Sequence, residues 1–256
     1  MPRSLNLNRG RLRPLIRIEN IMRVNLYRSL LLILLSFSLN ATEKPNVLLI
    51  MVDDMNTMLS TYGDTQVKTP NLEKLKANGV QFNRAYVQYP QCTASRASML
   101  TGLYPGQNGV TQLRQHFRNY VPWVKTLPQV FKENGYYTAR VGKIFHYDVP
   151  REMGTDGMDD PISWIDKYNP VGIDRTDHKK TKWLGPRKPK DKWGGGAISW
   201  IRAGGSSQEH TDGIATQQAI KILDSKHPKK TGDPFFLAVG YFRPHVPFGA
   251  PEKFFD

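Results

Sequence analysis

Three apolar stretches constrain the fold of this chain more than anything else in it: Asn46-Val47-Leu48-Leu49-Ile50-Met51-Val52, Tyr136-Tyr137-Thr138-Ala139-Arg140-Val141 and Pro234-Phe235-Phe236-Leu237-Ala238-Val239-Gly240-Tyr241. They are short, rich in β-branched and aromatic residues, and the first and last are too continuous to alternate between core and water, as strands buried on both faces of a parallel sheet are. Helix punctuation separates them. Thr69 to Gly79 has a Thr cap, Pro at its first position and Gly past its end, so Leu72 and Leu75 should face the core. Thr126 to Asn134, followed by Gly135, repeats the pattern, and Asp212 to Leu223 sets Ala215, Ala219, Ile222 and Leu223 on one helical face. Val80 to Val87 alternates loosely, as a strand leading towards residue 92. Strands interleaved with helices predict a doubly wound α/β fold.

Each strand ends in a polar cluster: Asp53-Asp54 after the first, Gly142-Lys143-Ile144-Phe145-His146 after the second, Phe242-Arg243-Pro244-His245-Val246-Pro247-Phe248 after the third. Ligands of open α/β sheets sit at the carboxyl ends of the strands, so these clusters should meet at one edge. Adjacent carboxylates repel unless a cation or hydrogen-bond donors compensate, which suits a hard cation with oxygen ligands, although paired acids also occur in solvated turns. Lys143 and His146 can converge on one anion or lie on the surface as an ordinary pair. His245, flanked by Pro244 and Pro247, has a restricted backbone.

Cys92 is the sole cysteine, so it has no disulfide partner within the chain, and it stands where a helix opens that Gly102 and Pro105 close. A nucleophile in a first helical turn faces unpaired N–H groups, and Arg96, one turn on, can clamp the same anion. A plain buried cysteine is the alternative. The run Cys92-Thr93-Ala94-Ser95-Arg96 resembles the sulfatase signature Cys-X-Pro/Ala-Ser-Arg, and Ala97-Ser98-Met99-Leu100-Thr101-Gly102 resembles its continuation. The strand ending in Asp53-Asp54, the Gly-Lys-X-X-His at 142–146 and the segment 239–248 are similar to the same family, closest to its iduronate-2-sulfatase branch.

The resemblance implies an α/β fold of the alkaline phosphatase superfamily, with a mixed, mostly parallel sheet between helices, and sulfuric ester hydrolysis on sulfated carbohydrates. It implies that a formylglycine-generating enzyme converts Cys92 to formylglycine. Asp53, Asp54 and residue 92 would then hold Ca²⁺, or less readily Mg²⁺. Arg96 and Lys143 would stabilise charge on the sulfuryl oxygens, while His146 and His245 would bind sulfate or protonate the leaving alcohol, His245 being favoured for the second task. Two alternatives use the same residues. One is a phosphonate or phosphate monoester hydrolase of the same superfamily; the other is an inactive fragment that binds sulfated glycans through its basic run.

The first 41 residues contain seven arginines and one acid, then the apolar run Leu30 to Leu39 and Asn40-Ala41, the pattern of a secretory signal peptide, with Met22 as the more ordinary start. The apolar run is short for a membrane span, so membrane contact is expected only through the export signal, a retained N-terminal anchor being the alternative. Removing those residues lowers the formal charge from +14 to +8. A basic exported chain meets acidic polysaccharide, and nothing in it resembles a nucleic-acid module. Much of the excess lies in Lys179, Lys180 and Lys182 and in the run 187–192, within a Trp- and Gly-rich variable segment at about 148–210. The family's later Asp-His pair and further lysine have no counterpart before Asp256, so the chain reads as the N-terminal part of a catalytic domain spanning 42–256.

Overall fold

The structure, a computed structural model, describes residues 44–184, 198–226 and 231–255. The expected export segment 1–41, the basic run 187–192 and the glycines at 194–196 lie outside the described residues. The strands are β1 (Val47–Val52), β2 (Tyr137–Gly142), β3 (Asp166–Tyr168), β4 (Lys182–Trp183), β5 (Ser199–Ala203), β6 (Phe235–Tyr241) and β7 (Phe248–Pro251). The helices are α1 (Pro70–Ala77), α2 (Cys92–Thr101), α3 (Pro105–Asn108), α4 (Leu127–Glu133), α5 (Ile173–Thr176) and α6 (Thr211–Ser225).

The main sheet has the order β1-β6-β2-β3, with every neighbouring pair parallel. A smaller sheet, β4-β5-β7, pairs β5 antiparallel to β4 and parallel to β7. The architecture is α/β, mostly parallel and flanked by helices, as expected. Strand β6 explains the layering. Its Phe236 and Ala238 pack on one face with Ala94, Ala97 and Leu100 of α2. Phe235, Leu237 and Val239 pack on the other with Ala215, Ala219 and Ile222 of α6. Successive side chains of a strand point to opposite faces, so a strand covered twice has to be apolar throughout.

Strand β1 departs from that expectation. It lies at the sheet edge, Val47, Leu49 and Met51 pack inward, and Leu48 and Ile50 are exposed. Continuous apolarity therefore did not mean burial on both faces here. Helix α1 forms where its punctuation predicts, but no residue of it is buried, and Leu75 is 67% exposed. The Thr69 side chain does not cap it; its hydroxyl meets Ser60 Oγ at 2.5 Å instead. Residues 80–87 form no strand; Val80, Phe82, Tyr86 and Val87 are exposed, with no neighbouring strand to use their alternation.

Two glycines let β2 and β6 meet where the chain turns into the 143–146 segment. Gly142, paired with Gly240, has φ +74°, and a Cβ on Gly240 would lie 1.9 Å from the Lys143 carbonyl oxygen. That contact is backbone on backbone, so no side-chain rotation relieves it. Gly240→Ala should lower stability by about 3 kcal/mol, the upper end of ordinary single-site effects. Chemical unfolding measures this, and a loss below about 1 kcal/mol would show that the strands can part without cost.

Candidate active site

Because β1, β6 and β2 run parallel, their carboxyl ends lie on one edge, and the backbone ties the three ends together. The Asp53 amide donates to the Tyr241 carbonyl at 3.2 Å, and the Lys143 amide to the Gly240 carbonyl at 2.9 Å. Helix α2 starts at Cys92, and the extended Gln91 before it makes no side-chain cap bond. Its first turn is therefore open towards the same edge.

Asp53 is the hub. One carboxylate oxygen accepts from Arg96 Nη2 at 2.9 Å, and the other lies 2.5 Å from Lys143 Nζ. All three residues are buried, Lys143 completely. Burial raises the Asp53 carboxyl, but the Lys143 ammonium and the Arg96 guanidinium outweigh it and bring the pKa down to about 2. Burial lowers the pKa of Lys143, and the Asp53 charge opposes that fall. Arg96 also donates through Nη1 to the Lys143 and Ile144 carbonyls at 2.6 and 2.8 Å. It thus braces Asp53 and the 143–144 backbone, a bracing role that the sequence did not show beside the anion clamp it suggested.

Cys92 Sγ stands 3.2 Å from His146 Nδ1. Burial raises the thiol pKa, and of the four charges that act on it, Lys143 and Arg96 lower it while Asp53 and Asp54 raise it. Burial, with Lys143 adding to it, lowers His146 to about 4. The pair is consequently a thiol beside a neutral imidazole at neutral pH, not the thiolate–imidazolium pair of a cysteine hydrolase. His245 Nε2 is 3.8 Å from Asp54 Oδ2, and its Nδ1 is 2.6 Å from the Val246 carbonyl. A carbonyl only accepts, so Nδ1 carries the proton and Nε2 is a bare acceptor. Burial and Lys143 keep this histidine below the ordinary range. Asp54 has φ +59°, the only positive value on a non-glycine residue among those described, a conformation that Asp tolerates and that strand ends near functional sites collect.

The sequence-predicted residues Asp53, Asp54, Cys92, Arg96, Lys143, His146 and His245 therefore meet at one sheet edge. Their donor chemistry fits a hard cation in part: Asp53 and Asp54 offer carboxylate oxygens, although Asp53 Oδ2 is already paired with Lys143 Nζ at 2.5 Å. No group of three or more His, Cys, Asp or Glu side chains is arranged for a metal among the described residues, which offer two adjacent carboxylates as part of a shell.

Two features escaped the sequence. Asp148 Oδ1 lies 3.3 Å from His146 Nε2, and a lone acid two positions on gives no periodic or motif signal. Helix α6 was expected only to pack, yet Asp212 accepts from the Phe242 and Arg243 amides at 2.9 and 3.0 Å. Arg243 in turn pairs with Asp174 at 3.0 Å and donates to the His245 and Pro247 carbonyls. That network fixes the loop carrying His245. A cavity of about 330 Å³ lined by Asp174, His210, Asp212 and Arg243 belongs to it and includes none of the seven predicted residues.

A profile of the Sulfatase family matches residues 45–256. Mouse iduronate 2-sulfatase is 35% identical over 216 residues, covering 84% of this chain and 38% of the relative; the chain thus spans under half the length of that protein. Among solved structures, a phosphonate monoester hydrolase of Agrobacterium radiobacter superposes with a TM-score of 0.58 at 23% identity, over 82% of this chain and 43% of its own. A structure in complex with its substrate D-glucosamine-2-N,6-O-disulfate superposes with a TM-score of 0.54 at 22% identity, over 80% of this chain and 35% of its own.

Proposed function

Since the chain belongs to the sulfatase family, we propose that its protein hydrolyses sulfate esters of saccharides at position 92, with an iduronate 2-sulfatase-like preference. The observation that carries this reading is the meeting at one sheet edge of two acids, Asp53 and Asp54, the buried Lys143 and two imidazoles, His146 and His245, with the sole cysteine 3.2 Å from His146.

Oxidised to formylglycine, position 92 supplies a hydrated aldehyde, one hydroxyl to attack sulfur and a second to release the sulfate. Asp53 and Asp54 are the residues that would hold a Ca²⁺, which would supply Lewis-acid polarisation there. The chain's own side chains do the rest. His146 Nδ1, 3.2 Å from the side chain at position 92, takes the proton of the group there. Lys143, completely buried and held by Asp53 at 2.5 Å, offers its ammonium to the sulfuryl oxygens. Arg96 holds Asp53 in place. At His245 the anionic sulfate ester favours uptake of a proton from solvent water on Nε2, and that proton goes to the leaving alcohol. Export and access to a converting enzyme belong to the same reading, supported by the arginine-rich, apolar start of the sequence.

The same residues suit a phosphoryl centre, so substrate choice decides between the two. Full-length protein made with a formylglycine-generating enzyme should turn over an aryl sulfate with higher kcat/KM than the matching aryl phosphate. The reverse order would assign it to phosphate or phosphonate esters. Loss of both, with salt-sensitive heparin binding retained, would leave only a glycan-binding chain.

A further inference from the structure

We infer that Asp148 is a positioning residue that fixes the tautomer of His146, taking the Nε2 proton so that Nδ1 stays bare towards the side chain at position 92. The three groups form a line: Cys92 Sγ to His146 Nδ1 is 3.2 Å, and His146 Nε2 to Asp148 Oδ1 is 3.3 Å. An ionised carboxylate has only acceptors, so the nitrogen facing it must carry the hydrogen, and a neutral imidazole has one such nitrogen. The other tautomer would aim an N–H at position 92 and could not receive its proton. This inference deepens the reading above, because it concerns how that site's acceptor is set.

Asp148 is itself held. Its Oδ2 accepts from Arg114 at 2.9 Å and pairs with Arg151, and its amide donates to Glu152 Oε2 at 2.8 Å. Burial raises its pKa, but hydrogen bonds from Arg151 and His146 outweigh that, so the carboxyl lies below its ordinary value and is charged at neutral pH. The His146 carbonyl accepts from the Met158 amide at 2.9 Å, which pins the backbone between the two side chains. An orienting carboxylate behind a histidine is a recurrent way to select which ring nitrogen reacts.

Nitrogen-15 NMR of the His146 ring in the full-length protein tests this. Wild type should show a protonated Nε2 and an unprotonated Nδ1. Asp148→Ala should give a mixed or reversed pattern, and Asp148→Asn, which keeps the size and guards against misfolding, should shift it the same way. In the converted enzyme Asp148→Ala should lower kcat for an aryl sulfate by about 10–100-fold with KM nearly unchanged, and Asp148→Glu should recover part of it. A protonated Nδ1 in wild type, or ring signals unmoved in both the Ala and Asn variants, overturns the inference. The ring pattern is read without turnover, so a protein with the expected tautomer and no sulfate hydrolysis would refute the sulfatase reading alone.

Discussion

Asp53→Ala should cost about 3–5 kcal/mol of folding stability, the range seen when one partner of a buried ion pair is removed. The reason is what remains. Lys143 is completely buried and would lose the carboxylate at 2.5 Å, and Arg96 would lose it at 2.9 Å, so two positive charges would share a buried site without their counter-ion. The exposed pair Lys125–Glu133 is the contrast, with side chains 59% and 40% accessible, and Glu133→Ala should leave stability nearly unchanged. The pH dependence follows from the sign of the shift. The folded Asp53 pKa, about 2, lies below its ordinary 3.8, so its stabilisation is complete above about pH 4 and disappears as pH falls towards 2. Urea unfolding of wild type and Asp53→Ala should differ fully at neutral pH and converge at the acid end. Equal midpoints at neutral pH would mean that Asp53 does not hold the two cations in the fold.

Cys92→Ala should reduce aryl sulfate turnover by the converted full-length protein by about 10³-fold or more, as loss of an attacking group does. Stability should change little, because the thiol is only partly buried and its one polar contact is a weak one to His146. Cys92→Ser should fail as well: serine offers one hydroxyl and no second one to release sulfate, so no sustained turnover follows. Steady-state rates beside unfolding midpoints separate the two effects. An alanine variant that keeps its rate would place the chemistry elsewhere.

Most of the site was legible because parallel strands sort polar residues by position. Once 46–52, 136–141 and 234–241 are strands of one sheet, the residues that follow each must share an edge, and Asp53, Lys143, His146 and His245 do. Helices with strong local punctuation, such as Thr126 capping Gln129, were equally readable. What failed was information held by distant partners. Apolarity in β1 says nothing about whether a neighbour covers Leu48 and Ile50, and the alternation of 80–87 needs a pairing strand it does not have. Arg243 meets Asp174 across 69 residues, and β3 to β5 are too short, at three, two and five residues, to display a period. The direction of Arg96 was also hidden, since only the folded backbone shows that its Nη1 bonds the 143 and 144 carbonyls.

Release of aryl alcohol from an aryl sulfate by full-length protein, with the state of position 92 read by mass spectrometry of its peptide, tests the central claim most directly. The aldehyde form should release alcohol through many turnovers and the thiol form none. Equal release from both forms, or no release from protein shown to carry the aldehyde, would contradict it.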